Sequence, residues 1–242
     1  MTDLLYIVRP SGWEYNEELR YALRSVEKHA RNVGRIFVCG DIPAWLGDNV
    51  IHISCNNPFD RKAKNIMYRL LYAVQHSDIS ERFLWSSDDI FLTSDVDLDK
   101  YPHYWKNGAQ ISVPADQEQT KWGRIMAEAR NFLAARGYNT NDYSNGHTLH
   151  WLSREMIALI IPDIEAAQQT TYGIPPANLF GAAFDRYEHV RHVIRNDVKI
   201  GQNPPEDDIY AGGCFSTEDN PPKWNGDKLL QELYPNKCKW EK

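Results

Sequence analysis

Two adjacent carboxylates, Asp88 and Asp89, lie in the run "RFLWSSDDIFL" (82–92), between the apolar blocks Phe83-Leu84-Trp85 and Ile90-Phe91-Leu92. Like charges side by side repel, and both lose hydration when their surroundings are buried. A hard divalent cation, Mn²⁺ or Mg²⁺, offsets both costs and can bridge the carboxylates to phosphate oxygens. A helix N-cap or a turn is the other ordinary use of such residues. A phosphatase-like nucleophile would require Asp-x-Asp after the first strand, and "LLYIVRPSG" has none.

Three further stretches carry groups of the same chemistry. "DRKAKN" (60–65) places Arg61, Lys62 and Lys64 where a helix begins, so backbone N–H groups and side-chain charge would favour a diphosphate there. A solvated basic turn has the same composition. "NGHTLHWLSRE" (145–155) offers His147 and His150 as a base, a metal ligand or a donor to phosphate. "FSTEDN" (215–220) is a second acidic loop that includes Asp219, able to supply an ion ligand, a base or a turn.

These groups need elements to hold them. "LLYIV" (4–8) reads as a strand covered on both faces, followed by the loop "RPSGWEYN" that carries Arg9. Residues 17–34 have helical spacing ended by Gly34; "RIFVCGD" and "VIHIS" read as strands, 60–77 as a helix and "RFLWS" as a fourth strand. That order predicts an α/β fold with a mostly parallel sheet flanked by helices, and ligands then sit beyond the carboxyl ends of the strands, where Asp88 and Asp89 fall. In the second half the reading gives a strand at "AQISVP", a helix at 120–137, and a helix at 153–169 that Pro162 kinks or splits. It closes with a short strand at "DVKIG" and a last helix at "DKLLQELYP".

With 242 residues and 42% hydrophobic content the chain has enough apolar material for one large α/β domain or two small ones, and one domain is the simplest partition. A net charge of −6 gives no global attraction to nucleic acid or to an anionic membrane. Cys39, Cys55, Cys214 and Cys238 form neither a CxxC pair nor a zinc-spaced set with histidine, as expected of reduced thiols. The N-terminus lacks the layout of a signal peptide and no apolar run approaches membrane-spanning length, so the expected location is cytoplasmic with no membrane partner.

"ELRYALRSVEKHARNVGRIFVCGD" followed by "SERFLWSSDDIFL" resembles the first two conserved blocks of the Stealth proteins, sugar-phosphate transferases of capsule synthesis. Small glycosyltransferase-like proteins of phage and bacteria share the layout. Their later segments are similar to "KNIM" (64–67), the "NGHTLHWLSREM" loop, "YGIPPANLF" (172–180), "DVKI" (197–200) and "CFSTEDN" (214–220). The resemblance runs from about Glu17 to Asn220. It implies a single GT-A-like domain (1–242), with a nucleotide-sugar half (1–92) and an acceptor half (93–242). It further implies that Asp88 and Asp89 hold Mn²⁺ or Mg²⁺ and that Arg20 and Arg24 brace the donor site. His147 would then sit at the reaction centre and Asp219 would complete the ion or acceptor site.

The activity so implied is transfer of a sugar from a nucleoside diphosphate sugar to an acceptor hydroxyl on a glycan, a protein or a modified DNA base. Arg9, Lys62, Lys64 and Asn65 are the further candidates for donor contacts, and His147, Asp208 or Asp219 for the base. Transfer of sugar-1-phosphate is the alternative of the Stealth type, and a catalytically silent nucleotide-sugar-binding module is the alternative from another class.

Overall fold

The computed structural model describes residues 1–8, 16–106, 119–140, 146–189, 192–195, 198–200, 210, 213–217 and 226–242. The first half runs β1 (Thr2–Val8), α1 (Glu17–His29), β2 (Ala30–Arg31), β3 (Val33–Gly40), β4 (Ile51–Ile53), α2 (Lys62–Gln75), β5 (Arg82–Ser87), β6 (Ile90–Leu92) and β7 (Val96–Asp97). The second half runs β8 (His103–Lys106), α3 (Lys121–Ala135), β9 (His150–Ser153), α4 (Arg154–Leu159), α5 (Ile161–Gln168), α6 (Pro176–Glu188), β10 (His192–Arg195), β11 (Lys199–Ile200), β12 (Cys214–Thr217) and α7 (Gly226–Leu233).

The main sheet has the order β4-β3-β1-β5-β9, parallel from β4 to β5 and closed by an antiparallel β9. Parallel strands need crossovers, which α1 supplies between β1 and β3, and α2 on the way from β4 at one edge to β5 beyond β1. β1 is central and every residue of it is buried. Side chains alternate across a strand, so Leu5 and Ile7 join Phe37, Phe83 and Trp85 under α2 to α6. Leu4, Tyr6 and Val8 face the opposite layer with Ile36, Val38, Leu84, α1 and α7. A smaller sheet, β11-β12-β6, pairs β12 antiparallel to β6. The chain therefore leaves the main sheet at Ser87, turns through Asp88 and Asp89, and enters the second sheet at Ile90.

Several expectations change in contact with tertiary structure. The first helix stops at His29, because Ala30 and Arg31 pair with Val96 and Asp97. Gly34 is a strand residue and no helix terminator. A Cβ there would lie 2.6 Å from Asp3 Oδ1, so its absence makes room for the buried Asp3. That carboxylate accepts from the Arg35 amide (2.8 Å), Arg35 Nη2 (2.8 Å), the Ser80 amide (3.0 Å) and Ser80 Oγ (2.8 Å). Burial alone would raise its pKa, and these donors outweigh burial and hold it below the usual carboxylate range.

Pro162 splits the predicted helix as a proline in the first turn of α5. His150 to Ser153 form an edge strand where a loop and helix start were expected. Phe215 to Thr217 belong to β12, and the rest of the "FSTEDN" stretch, like the expected "AQISVP" strand, lies outside the described residues. No helix of the described residues is long and apolar enough to cross a membrane, and all four cysteines are free and buried.

Candidate active site

Asp88 and Asp89 occupy the turn at the junction of the two sheets, directly beyond the carboxyl end of β5. Both are half-buried. Burial first, and the charge of Asp89 second, push the Asp88 carboxyl up to about 6, against the opposing pull of Asn16 and of the nearby Lys62. Asn16 Nδ2 donates to Asp88 Oδ2 at 3.2 Å. The Tyr6 hydroxyl is fully buried close to Ser86 and Asp88 with no hydrogen bond of good geometry among the described residues. A carboxylate pair that folding forces together and leaves costly to ionise is a donor set suited to a hard cation. Its oxygens fit Mn²⁺ or Mg²⁺; no cluster of three or more His, Cys, Asp or Glu that could hold a metal occurs among the described residues.

The first turn of α2 lies near enough for the charge of Lys62 to act on Asp88. Its N-cap residue, Arg61, makes no side-chain capping bond, and no acidic residue falls in the first turn. The leading amides thus keep their donor capacity beside Lys62 and Lys64. Asn65 serves the loop in front of them: Oδ1 accepts from the Phe59 amide (2.9 Å) and Nδ2 donates to the Phe59 carbonyl (2.7 Å).

Beneath that loop lies Arg69, 1% exposed on the packed face of α2. Its guanidinium donates to the main-chain carbonyls of Val8, Cys55 (3.3 Å) and Asn56 (3.4 Å), with no carboxylate partner among the described residues. It ties the carboxyl end of β1 to the segment leading into α2. Gly40 permits this: its φ is +124°, and a Cβ there would meet the Val8 oxygen at 2.0 Å and Arg69 Nη1 at 3.0 Å.

The remaining described candidates have partners of their own. Arg24 is held by Glu241 through Nε (2.7 Å) and Nη2 (2.9 Å) and donates to the Tyr234 carbonyl (3.2 Å). Arg20 pairs with Glu17 (2.6 Å) and Glu241 (3.5 Å) and lies over the Trp45 ring. Both arginines bind α1 to the C-terminal residues, and a donor would have to compete with Glu241 for them. The carbonyl of His147 accepts from Cys214 Sγ at 3.5 Å, placing its segment against β12. β12 sets Ser216 opposite Ile90 and so runs antiparallel toward the acid pair. Its last residue, Thr217, donates to Glu18 of α1 at 3.2 Å. His150 stacks on Trp85 and is bonded to the Gly146 carbonyl (3.1 Å). Arg9, Asp208 and Asp219 lie outside the described residues.

The sequence motifs of the candidate site do not include Asn16, Tyr6 or Arg69. Asn16 carried a usable signal as an N-cap directly before Glu17-Glu18. Arg69 carried one as a charge on the apolar stripe of α2.

Known proteins share this fold. Superposition on the bifunctional glycosyltransferase WbbM gives a TM-score of 0.57 at 10% identity, over 98% of this chain and 50% of that one. The galactosyltransferase LgtC, in an active-site mutant form, gives 0.52 at 11% identity over 96% of this chain and 95% of that one. The fold is that of the GT-A glycosyltransferases. About a third of the chain is similar in sequence to phosphotransferases of the Stealth type. The chain is 35% identical to mouse N-acetylglucosamine-1-phosphotransferase subunits alpha/beta over 98 residues, 37% of this chain and 8% of that protein. Against the exopolysaccharide phosphotransferase of Nocardia farcinica it is 33% identical over 90 residues, covering 33% of this chain and 17% of that one. For CpsY of Mycobacterium leprae the figures are 36% over 85 residues, 31% and 16%. The chain thus spans less than a fifth of the length of these relatives. No family model matches it.

Proposed function

We propose that the protein is a divalent-cation-dependent transferase that moves the sugar of a nucleoside diphosphate sugar to an acceptor hydroxyl. The observation that carries this reading is the Asp88–Asp89 turn at the carboxyl edge of the sheet, its Asp88 carboxyl raised by burial and by its neighbour, set close to Lys62. Asp88 and Asp89 would hold Mn²⁺ or Mg²⁺, which when bound supplies Lewis-acid neutralisation of the donor diphosphate.

The chain's own groups do the rest. Lys62, Lys64 and the uncapped amides of α2 bind phosphate oxygens. The acceptor oxygen attacks the anomeric carbon, and the bond from that carbon to the diphosphate oxygen breaks. The electron pair departs with the nucleoside diphosphate, whose growing charge these donors stabilise. The acceptor proton passes to a base, for which His147, Asp208 and Asp219 are the candidates. The acceptor is a glycan, a protein or a modified DNA base.

A second reading rests on the sequence relatives, which are phosphotransferases by name. In it the acceptor oxygen attacks the sugar-linked phosphorus, the bridging P–O bond breaks, and nucleoside monophosphate leaves. Product analysis separates the two: nucleoside diphosphate for glycosyl transfer, monophosphate for phosphosugar transfer.

A panel of nucleotide sugars with and without Mn²⁺, followed by thermal unfolding, tests the shared donor site. One donor, with the ion, is expected to raise the melting temperature by roughly 5–10 °C at a hundredfold excess over Kd. No ion-dependent rise for any donor would contradict the proposal. A rise without turnover on any acceptor would favour a silent binding module.

A further inference from the structure

Asn16 uses both ends of its amide. Oδ1 accepts from the Leu19 amide at 3.2 Å and caps α1, while Nδ2 donates to Asp88 Oδ2 at 3.2 Å, across 72 positions of sequence. The two contacts fix the amide orientation, because a carboxylate only accepts and a backbone N–H only donates. The side chain is 6% exposed. Capping alone explains neither the Nδ2 contact nor the backbone. N-caps ordinarily take extended dihedrals, whereas Asn16 has φ 35° and ψ 65° in the left-handed region that asparagine tolerates. The helix that carries it is also anchored, by Arg24 to Glu241 and by Glu18 to Thr217 at the end of β12. The donor that meets Asp88 is therefore held by a fixed element.

We infer that Asn16 is a positioning residue for the acid pair: it holds the Asp88 carboxylate in the orientation that receives the divalent cation, and links that orientation to the start of α1. The inference rests on the cation reading proposed above. Hydrogen-bonded supports of metal ligands act through the ligand, and their loss weakens metal binding by about 10- to 100-fold.

The test is a titration with Mn²⁺ alone, following the free ion by electron paramagnetic resonance, on the full chain. Asn16→Ser keeps a capping hydroxyl and is too short to reach Asp88. It is expected to weaken Mn²⁺ binding about tenfold or more. Asn16→Gly, which accepts the left-handed backbone, serves if the serine variant does not fold. The control is Thr120→Ala, which removes the cap of α3 (Thr120 Oγ1 accepts from the Gly123 amide at 2.9 Å) and touches no acid of the pair. It should lose stability while holding Mn²⁺ within twofold of the parent. Parent-like Mn²⁺ affinity in both Asn16 variants would overturn the inference and leave the cation reading standing. A parent protein that binds no Mn²⁺ would overturn both.

Discussion

Replacing Asp88 with asparagine is expected to raise the melting temperature of the metal-free protein at pH 7.5 and to slow cation-dependent transfer by about two to three orders of magnitude. The folded-state pKa of about 6 lies above the unfolded value of 3.8, so between them the folded state binds more protons than the unfolded state. Stability from this group is therefore greatest in acid and falls as pH rises from about 4 through 6. At pH 7.5 the ionised carboxylate costs about 1–3 kcal/mol, the lower end allowing for its partial exposure, and asparagine removes that cost. Asparagine is isosteric and still accepts from Asn16 Nδ2. The gain corresponds to roughly 2–10 °C in melting temperature for a chain of this size. Transfer should fall by about 100- to 1000-fold, the usual cost of losing a focused charge-stabilising contact. Asp89→Ala should lose the same activity. Scanning calorimetry between pH 4 and 8 checks the stability half: the parent and Asp88→Asn curves should converge near pH 4 and separate above it. Curves that stay parallel would mean that burial does not strain Asp88.

Arg69→Met should be the most destabilising single change near the site. Methionine restores much of the volume, so the cavity contribution is small. The carbonyls of Val8, Cys55 and Asn56 each lose a charged donor in a buried setting. Orphaned buried acceptors cost about 1–3 kcal/mol each, and their partial relaxation toward water brings the expected total to about 3–5 kcal/mol. Urea unfolding at pH 7.5 measures this directly. Amide exchange should accelerate first between residues 54 and 60, which Arg69 joins to β1. Arg69→Lys, with one compact ammonium in place of a planar fork, should lie between parent and methionine. A loss below about 1 kcal/mol for Arg69→Met would show that the carbonyls find other partners and that the residue does not organise this edge.

What the chain disclosed before folding follows from the range of each interaction. The apolar run at Leu4 to Val8 and the acid pair after Phe83-Leu84-Trp85 were legible, because strand burial and a sheet-edge turn are local patterns. α6 has no clear sequence signature, because Pro175-Pro176 and Gly181 look like loop punctuation. In the structure Pro176 opens the helix, where its missing N–H is harmless. β9 was hidden because His150-Trp151-Leu152-Ser153 is too short to show alternation, and only its pairing with Arg82 to Trp85 makes it a strand. The supports of the site leave a local signal, but their partners are illegible for a different reason. Asn16 meets Asp88 across 72 positions and Arg69 meets Val8 across 61, and no window of sequence contains both members of either pair.

The most direct test of the cation's role is a crystal of the parent protein soaked with Mn²⁺ and a nucleoside diphosphate, measured on the manganese absorption edge. The expected result is an anomalous peak at the Asp88–Asp89 turn, with the diphosphate bound against it and near the first turn of α2. A fully bound nucleotide with no anomalous density at that turn, and both carboxylates engaged only by local donors, would contradict the assignment.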